Sequence, residues 1–124
     1  MVASSAVDPK AALDELMELS SQVQAAAVLS AEGVLASTFR DEGRAERFAA
    51  AVRRLLGAAE EVAGRGSPSR LRAATSSGGL FVVREGGHTI AATTGTSPTV
   101  GLLLYDLRSC LRALAEPEEA RAAR

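Results

Sequence analysis

Two short apolar runs joined by a glycine turn constrain the fold of this chain more than any other feature. Residues 80–83 and 90–92 are apolar at successive positions, and Gly86-Gly87 lies between them. The two glycines allow the positive φ angles of a tight hairpin turn. A strand that is apolar at every position, and not only at alternate ones, needs cover on both of its faces. The stretch therefore predicts a hairpin inside a sheet that carries helices on both sides.

The remaining elements follow from periodicity and from cap and turn residues. We predict helices over 9–21, 44–63 and 99–115, with Ser97 as the cap and Pro98 at the first position of the last helix. A second hairpin is predicted over 24–29 and 34–39, its first strand central and its second peripheral, and a further strand over 70–75. Residues 8–115 form one domain in this interpretation, and 1–7 and 116–124 are disordered.

Composition excludes several classes of function. The net charge is −1 and opposite charges are interspersed, which argues against a general binder of nucleic acid or of anionic membranes. Cys110 is the single cysteine, so neither an internal disulfide nor a zinc site made of thiolates can form. No apolar run approaches the roughly 20 residues that span a bilayer. We expect a cytoplasmic protein without membrane insertion.

The helix over 44–63 is more apolar than a single sheet contact requires. Its apolar arc covers about 180°, whereas packing on one sheet uses about 100°. The surplus predicts a contact with another protein chain, and the alternative is a wide, alanine-rich core face. Strand 70–75 alternates arginine with small or apolar residues, which suits a sheet edge. The predicted dimer interface consists of Phe48, Ala51, Val52, Leu55, Ala59, Val62, Leu71 and Ala73.

The sequence contains no set of residues that would support catalysis. The glycine-containing stretch 95–101 lacks the Lys-Ser/Thr pair of a phosphate-binding loop. His88 is the single histidine and lies beside the turn glycines, where an exposed loop residue is far commoner than a general base. We predict no catalytic, cofactor-binding or metal-binding residues, and no enzymatic activity.

Three stretches resemble the Roadblock/dynein light-chain family, and in particular its bacterial MglB-like, actinobacterial branch. They are the first hairpin with its Ser-Ala-Glu-Gly turn over 23–36, the strand pair of 78–83 and 89–92, and the start of the last helix over 98–105. The resemblance implies an α+β fold with a five-stranded antiparallel sheet. The first and third helices would cover one face of the sheet and the second helix the other.

The resemblance also implies a function. Members of the family dimerise by packing their second helices together and pairing their third strands, and they regulate or scaffold small Ras-like GTPases. We therefore expect a non-enzymatic homodimer that binds such a GTPase without a cofactor, with Arg47, Arg53 and Arg54 on the polar arc of the second helix as partner-binding residues. A pure scaffold or adaptor is the alternative, and a small-molecule sensor with a cavity is a third class.

Overall fold

The computed structural model describes residues 8–64, 66 and 68–115. Three helices and five strands follow one another as α1 (Pro9–Leu19), β1 (Val23–Ser30), β2 (Gly33–Ser37), α2 (Glu42–Ala63), β3 (Arg70–Thr75), β4 (Gly78–Glu85), β5 (His88–Thr94) and α3 (Val100–Ala115). The five strands form one antiparallel sheet in the order β2-β1-β5-β4-β3. The predicted fold class is thereby confirmed. The predicted disorder of 1–7 and 116–124 concerns residues outside the described part.

Two hydrophobic clusters lie on opposite faces of the sheet. Buried side chains of α1 and α3 pack on one face, against Val28, Phe81 and Ile90 among others. Buried side chains of α2 pack on the other face, against Leu29, Val82 and Ala91. The sheet is therefore sandwiched between a layer of two helices and a layer of one.

The hairpin of β4 and β5 lies inside the sheet, as its unbroken apolar character predicts. Gly86 and Gly87 have φ angles of 65° and 83°, so the turn uses the left-handed backbone that favours glycine. At the start of β4, a Cβ added to Gly78 would lie 2.6 Å from the carbonyl oxygen of Thr94. This close approach of β4 to β5 accounts for a glycine at the first position of the strand.

Polar caps begin the first two helices. The side chain of Asp8 accepts a hydrogen bond from the Ala11 amide at 3.2 Å, and that of Asp41 accepts one from the Gly43 amide at 2.9 Å. The cap predicted at Ser97 for the third helix is wrong, because α3 begins at Val100. The amide of Thr99 donates to the side-chain oxygen of Gln22, so a residue from the loop after α1 satisfies this amide just before the helix.

Candidate functional site

Helix α2 uses only part of its apolar arc to cover the sheet. Ala45, Ala49, Val52 and Leu56 are buried and face the strands. The helix packs mainly over β2 and β1. The half of this sheet face that is formed by β4 and β3 is therefore covered less completely by α2.

A second apolar row runs along α2 beside the buried one, and we call it the α2 seam. Its members are half-buried or exposed, and they are Phe48, Ala51, Leu55, Ala58 and Val62. Their spacing alternates between three and four residues, which is the spacing of a helix that packs along another helix. Val62 is 89% exposed, and the ring of Phe48 lies 5.2 Å from that of Phe39. Phe48 packs in part against the cluster under α2, whereas Ala51, Ala58 and Val62 are exposed, so most of the seam is apolar surface that no other described residue covers.

Strand β3 continues this apolar surface onto the sheet. Leu71 pairs with Val82 and Ala73 pairs with Leu80. Directly paired residues of antiparallel strands point to the same face, and Val82 belongs to the cluster under α2. Leu71 and Ala73 therefore point to the α2 face, where both are half-buried. The seam and the β3–β4 part of the sheet lie on the same face of the molecule.

The two edges of the sheet differ in their capacity to pair with another strand. Edge strand β2 has five residues, and its register with β1 shifts between Val28 and Leu29. An edge strand that is short or contains a bulge is less able to pair with a strand from another chain. Edge strand β3 has six residues, all of which pair with β4 in regular register. The β3 edge is therefore the better template for a strand from a second chain.

The structure keeps most of the predicted interface residues accessible. Seven of the eight are half-buried or exposed, namely Phe48, Ala51, Leu55, Ala59, Val62, Leu71 and Ala73. Val52 does not fit the predicted interface, because it is 1% exposed and packs into the core under α2. Ala58 and Leu80 lie on the same accessible surface and were not part of the prediction. Heptad spacing along α2 could have identified Ala58, whereas Leu80 depends on the register of β4 against β3.

The predicted partner-binding arginines fall into two groups. Arg47 and Arg54 are exposed and lie next to the seam, two turns apart on one side of α2. Arg53 lies about 100° further around the helix. Its guanidinium donates to the carbonyl oxygen of Ser30 at 3.0 Å, at the turn between β1 and β2. Only Arg47 and Arg54 therefore share one surface.

Two further findings bear on the chemistry of the described residues. Within the ranges that the structure describes, no group of three or more His, Cys, Asp or Glu side chains could hold a metal ion. None of the helices described is both long and apolar enough to cross a membrane.

Comparisons with known proteins agree with this architecture. A family model, described as the Roadblock/LC7 domain, matches residues 10–94. A Roadblock/LC7 domain from Streptomyces avermitilis superposes with a TM-score of 0.74 at 20% identity, over 88% of this chain and 94% of the other. MglB from Myxococcus xanthus gives 0.70 at 11% identity, over 87% and 85%. Gliding protein mglB from Thermus thermophilus gives 0.67 at 16% identity, over 88% and 90%. A search of curated protein sequences found no match.

Proposed function

The chain belongs to the Roadblock/LC7 domain family, and from this premise we propose that it is a non-enzymatic homodimer that binds a small Ras-like GTPase. The main observation in favour of the proposed dimer is the α2 seam. A row of apolar side chains at helix-pairing spacing costs free energy when it faces water, and a second copy of the seam would cover it.

The regular edge of β3 supports the same two-fold arrangement. Pairing of β3 with its copy would join two sheets into one and would satisfy the backbone groups of the open edge. The seam of each α2 would then lie beside the seam of the other, over the sheet area that α2 leaves accessible in one chain. A single symmetric contact would thus cover the seam, Leu71, Ala73 and Leu80 together.

The proposed GTPase site lies on the outer side of the paired α2 helices. Arg47 and Arg54 are exposed there, together with the carboxylates of Glu46 and Glu61. Two copies of this surface would form a platform of mixed charge. Family membership and the likeness to the two MglB structures support the proposal that this platform contacts a GTPase.

Light scattering and a binding titration test the two parts of the proposal separately. We expect the purified protein to be a dimer at micromolar concentration, and a monomer would refute the proposed assembly. The Ras-like GTPase encoded nearest to its gene should bind the wild-type dimer. The double variant Arg47→Glu/Arg54→Glu should associate more slowly and respond less to salt, because exposed charges act mainly on the association rate.

A charge-matched control makes this titration specific. Lys10→Glu/Arg112→Glu changes the net charge equally, at exposed positions of α1 and α3 away from the β3 edge, and should leave GTPase binding unchanged. Equal effects of both double variants would move the GTPase site away from α2. Measuring GTP hydrolysis by the partner in the same samples separates an activator, which raises the rate, from a pure scaffold, which binds without changing it.

A further inference from the structure

The face of β3 that points away from α2 carries arginine. Arg70 pairs with Val83 and Arg72 pairs with Phe81, and both partners belong to the cluster under α1 and α3. Arg70 and Arg72 therefore point to the α1/α3 face, where both are exposed. Helix α3 packs over β4 and β5 on this face. An open strip of sheet thus runs along β3, beside α3.

The neighbouring side of α3 adds two more arginines to this strip. Arg112 Nε lies 2.6 Å from Glu85 Oε2, and Arg108 Nε lies 3.7 Å from Glu85 Oε1. Arg70, Arg108 and Glu85 also line one cavity of about 160 Å³. We define the arginine strip as Arg70, Arg72, Arg108 and Arg112. Arg70, Arg108 and Arg112 lie around the carboxylate of Glu85, and Arg72 extends the strip along β3 to the position paired with Phe81.

The balance of charge in the arginine strip is strongly positive. Four guanidinium groups and one carboxylate leave a local charge of +3, whereas the whole chain carries −1. The hydrogen bond from Arg112, together with the charges of Arg112 and Arg108, lowers the pKa of Glu85. This carboxylate is therefore ionised, and it is already paired with Arg112 and Arg108. Arg72 lies over the Phe81 ring at 5.2 Å, which restricts its guanidinium. Arg70 and Arg72 thus remain open to an anion from outside.

We propose that the arginine strip binds an extended acidic segment of a partner protein. Guanidinium forks match carboxylates in a planar, bidentate geometry. A strand of six residues spans about 20 Å, so the strip offers room for a short peptide along β3. The net charge of −1 for the whole chain disfavours the general attraction that a nucleic acid or an anionic membrane requires.

The side chains of the arginine strip do not belong to the side-chain surfaces assigned to the dimer and the GTPase, although Arg70 and Arg72 lie in the strand whose edge would pair in the dimer. Those surfaces lie on the α2 face of the sheet, and the strip lies on the opposite face. A chain that binds a second copy or a GTPase through α2 would therefore keep the strip open. If β3 pairs with its copy in the proposed dimer, two strips lie next to each other across the two-fold axis.

A titration with a defined acidic peptide tests the inference. The probe is a short fluorescein-labelled peptide in which Glu alternates with Ala, and binding is followed by fluorescence anisotropy. We expect saturable binding that weakens with salt. Arg70→Glu/Arg72→Glu should weaken it about tenfold or more, whereas Arg47→Glu/Arg54→Glu, with the same change in net charge, should change it less than about twofold.

Three outcomes would overturn the inference: no binding of the acidic peptide, equal weakening by both double variants, or tighter binding of single-stranded DNA or of anionic vesicles than of the peptide. Thermal unfolding of each variant checks that the fold is intact, and Arg70→Gln/Arg72→Gln provides a milder second variant. The variant Leu55→Asp, which places a charge in the α2 seam and is expected to separate the proposed dimer, should still bind the peptide. The experiment therefore distinguishes a wrong assignment of the peptide site from a wrong assignment of the dimer interface.

Discussion

Cys110 lies on the side of α3 that packs toward α1, and it is 6% exposed. Burial, with a smaller contribution from the charge of Glu15, raises the pKa of its thiol to about 11. Because the thiolate is the reactive form, we expect slow alkylation by iodoacetamide at pH 8 in the folded protein. The same reaction in denaturant should run at the rate of an ordinary cysteine. Similar rates in both states would show that the α1–α3 packing opens readily.

Glu85 gives a prediction that depends on pH. Its pKa is lowered in the folded state, chiefly by the hydrogen bond from Arg112. The carboxylate therefore stabilises the fold above its unfolded pKa, and this contribution is lost as the pH falls through the folded pKa. We expect Glu85→Gln to melt at a lower temperature than the wild type at pH 7. The two melting temperatures should converge in acid, and a difference that does not vary with pH would contradict this linkage.

At the scale of elements, helix α2 has two apolar rows that differ in burial. In the proposed dimer, Leu55→Asp would place an unpaired charge in the middle of the seam, at a cost of about 3 to 5 kcal/mol. We expect this variant to be monomeric by light scattering. Ala50→Asp is the matched control, since residue 50 is exposed on the opposite side of the same helix. Dissociation by both variants, or by neither, would exclude the seam as the interface.

The sequence predicted the existence of every element, because the periodicity of each was strong. It could not separate the two rows of α2. Val52 and Leu55 both lie within the apolar arc of about 180°, and only the position of the sheet decides that Val52 is buried and Leu55 half-buried. The cap of α3 was assigned wrongly to Ser97 for a similar reason. The partner of the Thr99 amide is Gln22, 77 residues earlier in the chain, and local cap signals carry no information about it.

For the whole molecule, the two faces of the sheet have different chemistry. The α2 face carries the apolar seam, the half-buried residues Leu71 and Ala73 of β3, and the pair Arg47 and Arg54. The opposite face carries the arginine strip beside α3. Strand β3 contributes to both faces, because its residues alternate between them. One edge strand would thus supply the backbone for a dimer contact, apolar side chains for the α2 face and guanidinium groups for the other.

The proposed dimer predicts a melting temperature that depends on protein concentration. When folding and association are coupled, a hundredfold rise in concentration adds about 2.7 kcal/mol of stability per dimer. With about 2.1 cal/mol/K of unfolding entropy per residue and two chains of 124 residues, this corresponds to a rise of about 5 °C. Calorimetry of the wild type across that range measures the shift. The Leu55→Asp monomer should melt at one temperature throughout, and a wild type that does the same would show that the seam is left uncovered in solution.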